Sequence, residues 1–116
     1  MSRHRSASAA KLTEAAPVFA ALGDATRLGL VARLCVDGPL SIMSLTQGAG
    51  VTRQAVTKHL HSLADAGLVQ VSRRGRERIW ELEPRRIERA RRCLEQISDQ
   101  WDVAISRLKA FVEEEP

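Results

Sequence analysis

Eight apolar residues, Ile87, Ala90, Leu94, Ile97, Trp101, Ala104, Leu108 and Phe111, follow one another at steps of 3, 4, 3, 4, 3, 4 and 3. No other feature of the sequence restricts the fold as much. The alternation of threes and fours is the a/d seam of a heptad, so these residues share one edge of a helix. Cys93, Ile105 and Val112 widen that edge. Pro84 stands at the favoured first position of such a helix. A helix of ~28 residues is ~42 Å long. The whole chain has 116 residues, which suits one modest domain. A body that small cannot cover the seam alone, so part of it is expected to bury against a second copy, with help from the first helix. The expected dimer contacts are Leu12, Phe19, Leu94, Ile97, Trp101, Leu108 and Phe111.

The residues before Pro84 alternate between short helical patterns and turn signals. Residues 1–10 are polar and read as a disordered arm. Residues 11–22 carry Leu12, Ala15, Ala16 and Phe19 on one helical face, with Pro17 as the point where the helix starts or kinks. Gly23 breaks it, and Asp24 is a good N-cap for a helix over 25–36. The stripe of that helix is read as Leu28, Val31, Ala32 and Cys35. Asp37-Gly38-Pro39 ends it with strong turn chemistry. Ser41 caps a third short helix with Ile42 and Leu45 facing inward, and Gly48-Ala49-Gly50 forms a tight turn.

A fourth helix follows over 52–66. Thr52 caps it, Val56, Leu60 and Leu63 recur at i, i+4 and i+7, and Gly67 supplies the residue a helix end often needs. Its exposed first turns carry Arg53, Gln54, Thr57 and Lys58. A helix fits the DNA major groove, and these side chains can hydrogen-bond base edges there. Two short helices joined by a few glycine-containing residues are the sequence form of a helix-turn-helix. Residues 68–72 and 78–82 then read as two short strands around Arg73-Arg74-Gly75-Arg76-Glu77, a hairpin with a basic tip. The expected fold is therefore mainly α with a small β-hairpin, a winged helix-turn-helix ordered α-α-α-α-β-β-α and dimeric through its terminal helices. Residues 11–83 and the terminal helix with its acidic tail, 84–116, belong to one structural domain.

The charge distribution agrees with a nucleic-acid partner. The chain carries a net charge of +4. Residues 84–116 hold seven Lys/Arg against seven Asp/Glu, so the excess lies in residues 1–83. Residues 53–92 hold eleven Lys/Arg against five Asp/Glu. Basic side chains at the tip of a wing can lie along phosphate or enter the minor groove.

Four ordered motifs carry a resemblance. Ala-Leu-Gly-Asp-Ala-Thr-Arg-Leu (21–28), Val-Thr-Arg-Gln-Ala-Val-Thr-Lys-His-Leu (51–60), Leu-Ala-Asp-Ala-Gly-Leu-Val (63–69) and Arg-Arg-Gly-Arg-Glu-Arg-Ile-Trp-Glu-Leu (73–82) resemble the ArsR/SmtB family of bacterial transcriptional regulators. The resemblance covers nearly everything from Leu12 to Phe111. It implies a dimeric winged helix-turn-helix, usually a repressor released from DNA by an effector. Carried over by position, Thr52, Arg53, Gln54, Thr57 and Lys58 are the expected DNA contacts on the reading helix, and Arg74 and Arg76 those in the wing. His59 has two readings, a phosphate contact or packing beside Leu60, and packing is favoured.

The chain departs from the metal-sensing members. Residues 38–45 hold no Cys or His, and the last helix has no His. Soft divalent metals want thiolate and imidazole ligands, and Asp99 with Asp102 makes a poor transition-metal site. No metal site and no cofactor is expected, and the chain resembles the branch lacking the metal motifs. Cys35 reads as a small buried hydrophobe. Cys93 lies beside the seam near Arg89, Arg91 and Arg92, where cations can make a thiol reactive. Redox sensing through Cys93 is the alternative to packing.

The expected function is a sequence-specific regulator, a homodimeric repressor that binds double-stranded DNA at a palindrome. The rival reading is a winged helix used only for protein–protein interaction. A small-molecule effector of unidentified chemistry is a further expected partner. No nucleophile–base pattern or phosphate-binding loop marks an enzyme. No apolar run approaches the roughly 18–20 residues that span a bilayer, and the first ten residues lack a signal peptide's apolar stretch, so a cytoplasmic protein with no membrane partner is expected.

Overall fold

The structure is a computed structural model and describes residues 2–114, with side chains described from residue 9 onward. Helix α4 (Arg53–Asp65) sits at its centre because its inner stripe is the least accessible apolar surface in the chain. Val56, Leu60 and Leu63 are each 0% exposed. Fully burying one such side chain contributes about 1.5–3 kcal/mol. The stripe packs into one cluster with Val18 and Ala21 of α1 (Ser2–Leu22), Leu30, Val31 and Leu34 of α2 (Ala25–Asp37), and Leu45 of α3 (Ile42–Thr46). Leu68, Val69 and Trp80 close it from the sheet side, and Ala90 joins it from α5 (Pro84–Glu114).

The sheet has three strands. Strands β2 (Val69–Arg74) and β3 (Glu77–Leu82) form the expected hairpin, with Val71 opposite Trp80 and Arg74 opposite Glu77. Strand β1 (Leu40–Ser41) adds to the other side of β3, pairing Leu40 with Trp80 and Ser41 with Ile79. A strand of two residues shows no sequence period, and this explains why it was not expected.

Three sequence expectations change. Residues 2–10 of the expected arm are instead the start of α1, which runs Ser2–Leu22, and residue 1 lies outside the described residues. No glycine or proline interrupts residues 2–16, and alanines dominate 7–10, so helix propensity carries the helix back. That helix also passes through Pro17 rather than starting there. The lost hydrogen bond is offset by packing on both sides, since Ala15 and Val18 are buried. Helix α2 buries Leu30, Val31 and Leu34, not the face containing Leu28 and Cys35. Leu28 is 52% exposed and Cys35 is exposed. The helix is apolar around most of its circumference, so periodicity alone could not choose the inward side. Cys93, by contrast, is buried against α1. Reactive thiols sit in partly exposed positions, so the burial favours packing over the redox reading.

Helix α5 divides in two. Ile87 is half-buried, and Ala90 and Cys93 are buried on the domain. From Leu94 to residue 114 every residue is exposed. Trp101 is 67% exposed and Phe111 64%. The seam therefore runs off the body of the protein, as its length requires. No single helix among the described residues is long and apolar enough to cross a membrane.

Gly67 makes the step from α4 into β2 with φ +78°. A Cβ there would meet the Arg86 side chain at 2.6 Å. Arg86 can swing aside, so the left-handed backbone sets the cost. Gly67→Ala is expected to destabilise the protein by about 1–2 kcal/mol, read as a shift of the urea midpoint, with Gly67→Asn losing less.

Candidate nucleic-acid interface

The outward face of α4 begins at its cap. Thr52 has extended backbone angles, and its hydroxyl accepts the Ala55 N–H at 3.1 Å. The turn before it uses two left-handed glycines, Gly48 at φ +79° and Gly50 at φ +72°. The end of α3 is tied down from α2. Arg33 Nη1 donates to the carbonyls of Ser44 at 2.9 Å, Leu45 at 3.2 Å and Gln47 at 3.0 Å. The sequence reading missed this residue. Its signal was a lone cation between Val31 and Leu34, both of which are buried.

With the inner stripe buried, Arg53, Gln54 and Lys58 are exposed on the opposite side and Thr57 is half-buried beside them. Thr52 is exposed at the same end. In the hairpin, Gly75 takes φ +63° and Arg74 and Arg76 are both exposed. Arg73 stands opposite Arg78 across the ladder, a like-charge pairing that works against the hairpin. A cleft of ≈ 230 Å³ between wing and helix is lined by Arg53, Arg76 and Arg78 against one acidic residue, Glu77, with Ser41, Ile42 and Met43. The fold thus brings Arg53 of α4 and Arg76 of the wing to one surface, although 22 positions separate them in sequence. Among the described residues none of Arg53, Lys58, Arg74 and Arg76 has an ion-pair partner. Exposed cations without such a partner are free to neutralise phosphate.

His59 is turned away from this face. Its Nδ1 lies 3.4 Å from Arg27 Nη1 and 3.9 Å from Asp24 Oδ2. It is a packed and bonded residue, half-buried next to Leu60. His61 points elsewhere and meets Trp80 edge-on, with ring centroids 5.6 Å apart at 83°. The residues expected to form the dimer contact split. Phe19 is half-buried against the core, while Leu12, Leu94, Ile97, Trp101, Leu108 and Phe111 stay exposed. No group of three metal-ligating side chains forms among the described residues.

Comparison with known proteins agrees with this geometry. A helix-turn-helix domain family matches residues 22–72. The HTH-type transcriptional regulator Rv2034 of Mycobacterium tuberculosis is 33% identical over 95 residues, covering 82% of this chain and 85% of that protein. The solved structure of an ArsR-like transcriptional regulator from Rhodococcus sp. RHA1 superposes with a TM-score of 0.70 at 35% identity, covering 85% of this chain and 92% of that one. A homodimeric winged helix-turn-helix DNA-binding domain from Mycobacterium bovis, 23% identical, shares the fold with a TM-score of 0.62 over 79% of this chain and 84% of that one.

Asp24, the cap of α2 beside His59, has its acidity altered. The Arg27 backbone N–H, bonded to it at 3.0 Å, holds its carboxyl below the usual range, and the Arg27 and His59 charges add to this against the opposing effect of burial. Its folded-state pKa is thus below its unfolded one. The stabilisation is complete above the ordinary carboxylate range and disappears as pH falls through the lowered value. Asp24→Ala should lower the melting temperature at pH 7, and the gap from wild type should close on acidification. A gap that stays constant with pH would assign the effect to the cap's shape and not its charge.

Proposed function

The chain belongs to the ArsR-like helix-turn-helix transcriptional regulators, and on that premise we propose that it is a homodimeric repressor of a palindromic operator. In this reading α4 enters the major groove. Arg53, Gln54, Thr57 and Lys58 read base edges there, and the capped Thr52 end approaches phosphate. Arg74 and Arg76 of the wing lie along the flanking backbone. The observation that carries the reading is the shared cleft of Arg53 and Arg76, which joins helix and wing into one basic surface.

The uncovered seam of α5 supports dimerisation, because a run of exposed apolar side chains this long needs a partner surface. The homodimeric relative from Mycobacterium bovis has the same fold. Two α4 helices set ~34 Å apart would meet successive major grooves on one face of DNA. Repression follows from occlusion, since a dimer lying across both half-sites excludes polymerase from that DNA. An effector has one supporting feature, a cleft of ≈ 210 Å³ between α1 and α5 lined by Lys11, Glu14, Arg89, Arg92, Cys93 and Gln96. That volume is smaller than a drug-sized site and suits a small ligand. The protein–protein module is the rival reading, and an enzyme has no support in the site's chemistry.

The reading is tested by titrating the protein onto its own upstream DNA and onto a scrambled duplex at ~150 mM salt, where non-specific attraction is weak. Preference for the native duplex, saturating at two chains per site, is the expected result, and equal weak binding to both would favour the interaction module. Gln54→Ala should relax base preference at one half-site position by about 1–3 kcal/mol. Arg76→Ala should weaken all sequences alike and reduce the salt slope by ~1. Trp101→Glu should give monomers in sedimentation and a loss of about 10²-fold or more in operator affinity, through lost effective concentration.

A further inference from the structure

Arg27 touches three elements with one side chain and its own backbone. Its Nε donates to the Ala21 carbonyl at 2.6 Å, at the end of α1. Its Nη1 lies 3.4 Å from Nδ1 of His59 on α4. Its N–H donates to Asp24, the cap of α2, whose Oδ2 is 3.9 Å from the same His59 nitrogen. One planar guanidinium thus reaches from the end of α1 to the middle of α4.

These are the two helices whose relative angle matters for a dimeric DNA reader. Helix α1 packs on α5, which carries the seam. Helix α4 carries the reading face. Helix α1 packs on α5 and α2, while α4 packs on α2, α3 and β2. The angle between them is therefore transmitted through the start of α2. Gly23 lies in that corner, where residues Ala9–Leu22 and Ala25–Asp37 meet at 99°. Core contacts hold the corner together, but apolar contact is non-directional. A guanidinium fork is rigid and directional. The leverage is large: a rotation of ~10° over the length of α4, ~20 Å, displaces its end by about one base-pair rise.

We infer that Arg27, with His59 as its partner on α4, is a positioning residue that sets the separation of the two reading helices in the dimer. The inference rests on the dimeric-reader proposal and adds a residue that touches no DNA. Arg27→Lys keeps the charge but cannot span both partners. His59→Ala removes the far end of the same link and covers the case in which the Arg27 variant fails to fold.

The experiment uses the full chain and a best-bound palindrome selected from a random pool. Affinity is measured for duplexes whose half-sites are moved together or apart by one base pair, and for a single half-site. Melting and sedimentation report that each variant is folded and dimeric. Wild type is expected to favour one spacing by about tenfold or more, the scale on which joined half-sites gain from effective concentration. Both variants should flatten that preference to about twofold while single-half-site affinity stays within about twofold of wild type. A folded, dimeric Arg27→Lys with the wild-type spacing profile overturns the inference. So does equal loss on every duplex, the half-site included, because that pattern marks a role in stability alone. If wild type binds two half-sites no better than one, the dimeric reading itself fails and takes this role with it.

Discussion

The burial of three side chains on α4 governs the rest of this structure. Val56, Leu60 and Leu63 are fully removed from solvent, and on a helix of 3.6 residues per turn that decides what the opposite side presents. Once the stripe is inside, Arg53, Gln54 and Lys58 face outward. Each surrounding element supplies part of the socket, from Leu45 of α3 to Trp80 of the sheet. A change that rotated this helix would move every candidate DNA contact at once.

The polar bonds around the core do a different task from the core itself. Apolar burial gives cohesion without direction. Direction comes from a few hydrogen bonds between elements. Arg33 holds the end of α3 by three carbonyls. Arg27 links α1, α2 and α4. Both arginines are half-buried and point inward or along the surface of the body. They stand apart from the exposed arginines of the wing, although composition counts them together. Net charge therefore overstates the cations available to a polyanion. Cations with no ion-pair partner among the described residues, such as Arg74 and Arg76, are the ones to count.

The protein also carries more apolar surface than one chain can use. The seam of α5 leaves the body after Cys93, and among the described residues those from Leu94 onward are exposed. Helix α2 adds Leu28 and Val36, exposed at 52% and 84%. The seam has the heptad order of a helix-pairing surface, and that order separates it from the irregular exposed face of α2.

The sequence by itself determined a good deal here. The i, i+4, i+7 stripe and the Thr52 cap located α4, because both are local and have an unambiguous period. The heptad steps located α5 and its apolar side. The basic turn between two β-rich runs located the wing. Tertiary structure decided the rest. It chose Leu30, Val31 and Leu34 as the inner face of α2, since that helix is apolar on too many sides for a period to be decisive. It exposed Cys35, which reads as a buried hydrophobe in the sequence, and buried Cys93, in keeping with the packing reading. It added β1, whose two residues are a strand only because β3 lies beside them. It turned His59 toward Arg27, and brought Arg53 to Arg76. Each of these depends on contacts between residues far apart in the chain, and a local pattern carries no information about which distant partner will be there.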